Sequence, residues 1–232
     1  MLRGGLRRGC GPSPGRRRAA VPWPGTGTPH QPRRAGCLLL LRPAAIKGPQ
    51  DDIPVAPGAT SWDYEVEVAA VIAHGCSNLD AATAEQHIAG YLVHCDWTAR
   101  DLSAGQMGFV YSPSKSKDTS TSLGPFLVTP DELEPHRSGK GYALRMDAHV
   151  NGRHYGGGSR DEIHWSFGEL PAHASRGTTL RAGDLLAGGP GGTGCVLELA
   201  GRRDCLAPGD TVRVDVQELG AVSARITAPE QP

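Results

Sequence analysis

The chain has 232 residues, enough for one sizeable core or for one domain with an extension. Its 32 glycines and 19 prolines point to a turn-rich, mainly β architecture and away from a helical bundle. The formal net charge is zero, which gives the whole molecule no electrostatic basis for holding nucleic acid.

That zero conceals an asymmetry. Residues 1–36 carry eight of the 24 basic residues, all arginine, and no Asp or Glu, so the segment is +8 and the rest of the chain −8. An acidic body suits a protein that gathers carboxylates around a cation. The basic segment is acid-free, as transit peptides are, but dense in Gly and Pro, poor in Ser and without apolar periodicity. It reads as disordered or outside the fold and as dispensable for folding, with the folded domain over 37–228. A tail that binds an acidic partner is the weakest of three functional readings. The six cysteines form no C-x-x-C pair and no zinc-finger spacing, so they read as small buried hydrophobes in a reducing compartment. With no secretory h-region and no apolar run of membrane-spanning length, the expectation is a cytoplasmic protein with no membrane partner.

Leu38–Leu41 opens the body as a buried strand, and Pro43 to Gly58 is a turn-rich connection. Asp63–Ile72 is a long strand. Ala81–Gly90 has helical composition with Asp80 as a candidate N-cap. Tyr91–Asp96 returns to strand, and Ser112–Pro125 is a polar loop leading into a strand at Phe126–Val128. Ala143–Val150 alternates as a strand and ends at Asn151-Gly152, a hairpin signal. Asp161–Ser175 is helix-like. Leu180–Asp184 (L-R-A-G-D) and Leu206–Asp210 (L-A-P-G-D) are similar turns entering strands at Leu185–Ala187 and Thr211–Val216. The whole predicts an α+β fold dominated by antiparallel sheet.

Four segments hold residues suited to chemistry. In Asp63-Tyr64-Glu65-Val66-Glu67-Val68, strand alternation puts Asp63, Glu65 and Glu67 on one face and the apolar residues on the other. Acidic residues at i, i+2 and i+4 repel one another, and a cation between them removes that repulsion. By itself the segment reads first as a solvated strand face. Asp96 ends an apolar strand beside Trp97, a costly place for a carboxylate unless it is paired or bound to metal. The alternatives there are a helix N-cap or an Asp101–Arg100 ion pair. Lys115 and Lys117 share a hydroxyl-rich loop that could face an anion. Gly188 to Gly194 formally contains G-x-G-x-x-G, but Pro190 lies inside it and the following residues read as strand, so a dinucleotide site is rejected.

Taken in order, these segments resemble one family. E-V-E at 65–67, D-W-T-A-R-D-L at 96–102, K-D-x-x-T-S-L-G-P-F-L-V-T-P-D-E-L at 117–133 and G-G-T-G-C-x-L-E-L at 191–199 are similar to fumarylacetoacetate hydrolase C-terminal domains. So are I-K-G-P-x-D-D-I (46–53), V-N-G-R (150–153), H-W-S-F-G-E-L (164–170), A-S-R-G-T-T-L-R-A-G-D (174–184) and L-A-P-G-D-T-V (206–212). The resemblance implies a mixed β-roll or sandwich with a few short helices, usually a homodimer, holding Mg²⁺ or Mn²⁺ (Ca²⁺ in some members). It implies Glu65, Glu67 and Asp96 as metal ligands. Three carboxylates without His or Cys independently favour such hard cations. Lys117 and Thr121 match a Lys and Thr near metal and substrate; a register on Lys115 is the less favoured alternative. Glu198 matches a carboxylate that orients the catalytic base, and Gly189 lies in the substrate loop. The implied activity is metal-dependent cleavage of a C–C bond in, or decarboxylation of, a small β-dicarbonyl or 2-oxo acid. Isomerases and hydratases of oxo acids share the platform.

The departures from the family cluster at the site. Relatives often carry an upstream Asp-Phe-Tyr-x-Phe-x-x-His segment that supplies a general base, and residues 1–36 contain nothing similar. Ser103 stands where Gln is usual, Cys95 where Asn is common, and Pro190 where a substrate-contacting Thr is frequent. His94 shares Asp96's strand face and is the one local candidate base. The expectation is a chain that binds metal but hydrolyses β-diketones slowly.

Overall fold

The computed structural model describes residues 39–106, 114–199 and 201–230. The proposed 1–36 extension and Leu38 lie outside them. Two five-stranded sheets dominate. The first runs, in hydrogen-bonded order, Ile46–Lys47, Thr121–Leu123, Ile88–Asp96, Val66–Ile72 and Leu185–Ala187. The second runs Arg153–Ser159, Arg145–Val150, Thr211–Val216, Gly220–Thr227 and Ile53–Pro54. Every pairing in the two sheets is antiparallel except those of the two-residue strands Ile46–Lys47 and Ile53–Pro54. The segment 46–54 thus adds an edge strand to each sheet. Pro54, which has no N–H to give a ladder, is tolerated at such an edge.

One core fills the space between the sheets. Val66, Val68 and Ala70 face Met146, Ala148, Val150, Val212, Val214 and Val222 in the same apolar cluster, closed by Trp62, Tyr64, Tyr91 and Trp97. The alternation forecast for 63–72 therefore holds on its apolar side. The other side of that strand, with Glu67 and Ala69, is buried as well, which positions the site.

Several local forecasts are corrected. Leu39–Leu41 form no strand, and Leu40 is 84% exposed. Ala81–Gly90 contains only a 3-10 turn at Ala84–His87; its last residues join the Ile88–Asp96 ladder, where pairing to two neighbours outweighs weak helical propensity. Of Asp161–Ser175 only Glu169–Ala174 is α-helix, preceded by a 3-10 turn at Arg160–Glu162. The loop ahead of Phe126 already pairs at Thr121–Leu123, and Phe126–Val128 makes a single bridge, Tyr91 to Val128. The strand read after Gly194 is a bridge at Cys195 followed by a 3-10 turn at Leu197–Leu199. The turn forecasts hold. Asn151 and Gly152 take φ of 52° and 75°, as a primed hairpin turn requires. In the two similar turns Gly183 and Gly209 are left-handed, and Asp184 and Asp210 each accept the backbone N–H three residues earlier at 2.8 Å.

Candidate active site

Register brings the acidic residues together. Glu65 and Asp96 exchange both backbone hydrogen bonds, at 3.0 and 3.1 Å, and Thr121 pairs Asp96 from the third strand. Two residue pairs along, Glu67 lies opposite His94. Two rows across adjacent strands thus present Glu65, Asp96 and Thr121, then Glu67 and His94, on one buried face. Each of Glu65, Glu67 and Asp96 offers an oxygen within 4.8 Å of the others. Asp63, forecast on the same face, caps the backbone N–H groups of Val196 and Leu197 instead, at 2.8 and 3.1 Å.

Two cations, Lys117 and Arg100, and the imidazole of His94 contact this face. Lys117 Nζ donates to Glu65 Oε2 at 2.8 Å, Asp96 Oδ2 at 2.6 Å and Thr98 Oγ1 at 2.9 Å. Lys115 instead pairs with Asp118 at the surface, so Lys117 is the lysine of this loop that reaches the cluster. Arg100 bridges Asp63 (Nε–Oδ2 2.7 Å) and Glu65 (Nη1–Oε1 2.8 Å). The anticipated Asp101–Arg100 pair is replaced: Asp101 accepts the N–H and hydroxyl of Thr60, both at 2.8 Å. Consecutive helical side chains point apart, so Arg100 turns inward where Asp101 cannot follow. His94 Nδ1 meets Glu67 Oε2 at 3.1 Å.

The charges differ in how well they are settled. Burial would raise Glu65, but Lys117 and Arg100 outweigh it and hold the carboxyl at about 2. Burial pushes Asp96 up to about 6; Lys117 opposes this and the neighbouring Glu65 and Glu67 reinforce it. Burial draws His94 down, yet Glu67 and Asp96 prevail and its value is raised. Burial likewise opposes the charge of Lys117, but Glu65 and Asp96 hold it protonated. Three atoms of the cluster, Asp96 Oδ1, Thr121 Oγ1 and Arg100 Nη2, are buried with no hydrogen-bond partner among the described residues. A buried acceptor in that state costs about 1–3 kcal/mol, more for a charged group. Three close carboxylates and an orphan oxygen fit a hard divalent cation bound by Glu65, Glu67 and Asp96.

The glycine loop frames this face. Ala187 pairs with Ala69, the chain leaves the ladder, and it returns where Gly194 C=O accepts the Val66 N–H (2.9 Å) and Cys195 bridges Glu65. The loop therefore departs and rejoins on either side of Glu67. It packs backbone to backbone on the strand Arg153–Ser159: a Cβ at Gly156 would fall 2.4 Å from the Thr193 carbonyl oxygen, and one at Gly192 2.7 Å from that of Gly157. Gly189 is left-handed, with open space where a Cβ would be. Glu198 is exposed on its turn, and no hydrogen bond among the described residues ties it to the cluster. The forecast overlooked two side chains: Arg100 as the partner of Asp63 and Glu65, and the buried Arg160. Neither has a periodic signal; the D-W-T-A-R-D-L run was the only pointer to Arg100.

Comparison with known proteins agrees with this layout. The family described as "Fumarylacetoacetate (FAA) hydrolase C-terminal" matches residues 18–227. A Bos taurus protein named oxaloacetate tautomerase FAHD2A, mitochondrial, is 33% identical over 185 residues, 79% of this chain and 56% of that protein. The chain thus spans little more than half the length of this curated relative. Fumarylacetoacetate hydrolase from Exiguobacterium antarcticum superposes with a TM-score of 0.70 and 28% identity, covering 80% of this chain and 64% of that one. Fumarylpyruvate hydrolase from Pseudomonas aeruginosa, solved with Mn²⁺ and pyruvate, gives 0.66 and 25%, covering 79% and 75%. Among the described residues no helix is long and apolar enough to cross a membrane.

Proposed function

The chain belongs to the fumarylacetoacetate hydrolase family, and we propose that it is a divalent-cation-dependent enzyme acting on a small 2-oxo or β-dicarbonyl acid through its enol form. The observation that carries this reading is the buried triad Glu65, Glu67 and Asp96, its ligand oxygens within 4.8 Å of one another, with Lys117 on two of the three. The relatives' names, a tautomerase and two hydrolases, share enol or enolate chemistry of oxo acids. Glu65, Glu67 and Asp96 would hold Mg²⁺ or Mn²⁺, which when bound would supply Lewis acidity toward a 2-oxo acid.

The chain's own residues supply the rest. Lys117 stays protonated, so it cannot take a proton; its ammonium stabilises negative charge developing on the substrate oxygen. Arg100 holds Glu65 ionised and in place from the side opposite Lys117. The free hydroxyl of Thr121 is available to a substrate oxygen beside Asp96. His94 is fixed through Nδ1 by Glu67, and its Nε2 makes no hydrogen bond among the described residues. That nitrogen is the local group able to move a proton to or from a substrate carbon. Tautomerisation moves one proton between the enol oxygen and the carbon, which a single such group can carry, whereas hydrolysis also needs an activated water.

A second reading, metal binding with slow C–C hydrolysis, is favoured by two observations. Glu198 is exposed rather than placed to orient a base, and Pro190 offers the substrate loop no N–H. One experiment covers both readings. Enol–keto interconversion of oxaloacetate and cleavage of an acylpyruvate are followed with Mn²⁺ or with EDTA, for wild type, Asp96→Asn and Lys117→Met. The expected result is metal-dependent tautomerisation that exceeds acylpyruvate cleavage and falls roughly 10²-fold or more in both variants. Equal rates in EDTA and Mn²⁺ would sink the proposal.

A further inference from the structure

Arg160 is 1% exposed and has no carboxylate within ion-pair distance among the described residues. Its guanidinium lies over the Phe167 ring at 4.0 Å, and Nη2 reaches the Trp165 carbonyl only at 3.5 Å. Nε is buried with no hydrogen-bond partner among the described residues. A buried guanidinium without a counter-charge is costly, and burial pulls its value down to about 10. A carboxylate usually offsets that cost; the half-buried Arg100 has two.

Its location is specific. An ideal Cβ on Gly188 would lie 3.1 Å from Arg160 Nη2 and 3.5 Å from Cζ. Gly188 is the first residue of the loop that leaves the ladder beside Glu67, and Glu67 is near enough to act electrostatically on Arg160. Gly188 and Trp165, the two residues whose backbone lies against the guanidinium, are both half-buried. At Gly188 no side chain stands against the guanidinium, and a Cβ there would crowd it.

We propose that Arg160 is the site for the second carboxylate of a 2-oxo dicarboxylic acid whose oxo-acid end occupies the triad. This rests on the proposed function above and sharpens it: the preferred substrate is a dianion, and Gly188 is glycine because any side chain would stand between that carboxylate and the guanidinium. A planar guanidinium takes a carboxylate in two parallel hydrogen bonds; Nε is without a partner among the described residues and Nη2 has only the long contact to the Trp165 carbonyl.

The test compares oxaloacetate with its 4-monomethyl ester, which enolises in the same way but lacks the second charge. In Mn²⁺-loaded wild type the dianion should be preferred in kcat/KM, and Arg160→Gln should reduce that preference by 10–100-fold. Since a buried arginine can matter to folding, Gly188→Val is the second variant: it keeps Arg160 and covers it, and should reduce the preference similarly. A second readout needs no turnover. In EDTA, succinate should raise the Tm of wild type but of neither variant. A wild type inactive on both substrates yet stabilised by succinate through Arg160 would overturn the proposed reaction and keep the anion site. Unchanged substrate preference in both variants, or succinate stabilisation that survives both, would overturn the site.

Discussion

At Asp96 burial and the repulsion of Glu65 and Glu67 push the carboxyl up to about 6, while Lys117 at 2.6 Å pulls the other way. An acid raised above its ordinary value of 3.8 binds its proton more tightly in the fold than in the unfolded chain. The metal-free protein therefore loses that increment of stability as pH rises from about 4 through 6. A cation must displace the same proton. The rise in Tm given by Mn²⁺ is thus expected to be small at pH 5 and to grow through pH 7, and thermal melts at fixed Mn²⁺ across that range check it. An increment larger at pH 5 would contradict the assignment. Lys117→Met gives a second expectation. It leaves Asp96 without a cation and Glu65 with Arg100 alone, so in EDTA stability falls by roughly 3 kcal/mol. Saturating Mn²⁺ should recover much of that, while the catalytic rate stays depressed about 10²-fold. Denaturant melts with and without metal separate the two effects. Glu65, Glu67, Asp96 and Lys117 were legible because their spacing and their ordered neighbours carry the family pattern. Arg160 was not: a lone arginine after a glycine run reads as surface charge, and only tertiary packing buries it.

Among the elements, the glycine loop and the strand it lies on form one unit. A Cβ on Gly157 would fall 2.1 Å from the Met146 carbonyl oxygen and 3.0 Å from Asp147 Oδ1. Gly157 also donates its N–H to Thr193 Oγ1, and its carbonyl accepts the Thr193 N–H at 2.9 Å. Gly157→Ala is therefore expected to cost roughly 2–4 kcal/mol, since the clash is with backbone and cannot be relieved by a rotamer change. Because the same loop fixes Val66 and Glu65 through Gly194 and Cys195, the variant should also bind Mn²⁺ more weakly. Urea melts and a metal titration measure both; a neutral substitution would show that the loop is not held this closely. Turns were the most legible elements, because Asn151-Gly152 and the two L-x-x-G-D turns encode their geometry within four or five residues. The helices at 81–90 and 161–175 were misjudged because ladder pairing and loop packing, set by distant residues, overrode local composition.

For the whole molecule, two sheets share one apolar core, and the buried acidic face lies on the far side of the strands that build that core. The mainly β architecture with few short helices was readable from glycine, proline and alternation, and the family resemblance supplied its arrangement. What composition could not show is that both faces of Val66–Ile72 are covered, which makes four carboxylates nearly inaccessible to water. A molecule folded around such a face should be stabilised by whatever neutralises it. Binding at a hundredfold excess over Kd contributes about 2.7 kcal/mol, or about 5–10 °C for a domain of this size. The direct measurement is the Tm of the wild-type chain and of Asp96→Asn at pH 7 in Mn²⁺ against EDTA. The account predicts a rise of about that size in the wild type and almost none in the variant. A wild-type Tm indifferent to Mn²⁺ and Mg²⁺, or an equal rise in Asp96→Asn, would contradict it.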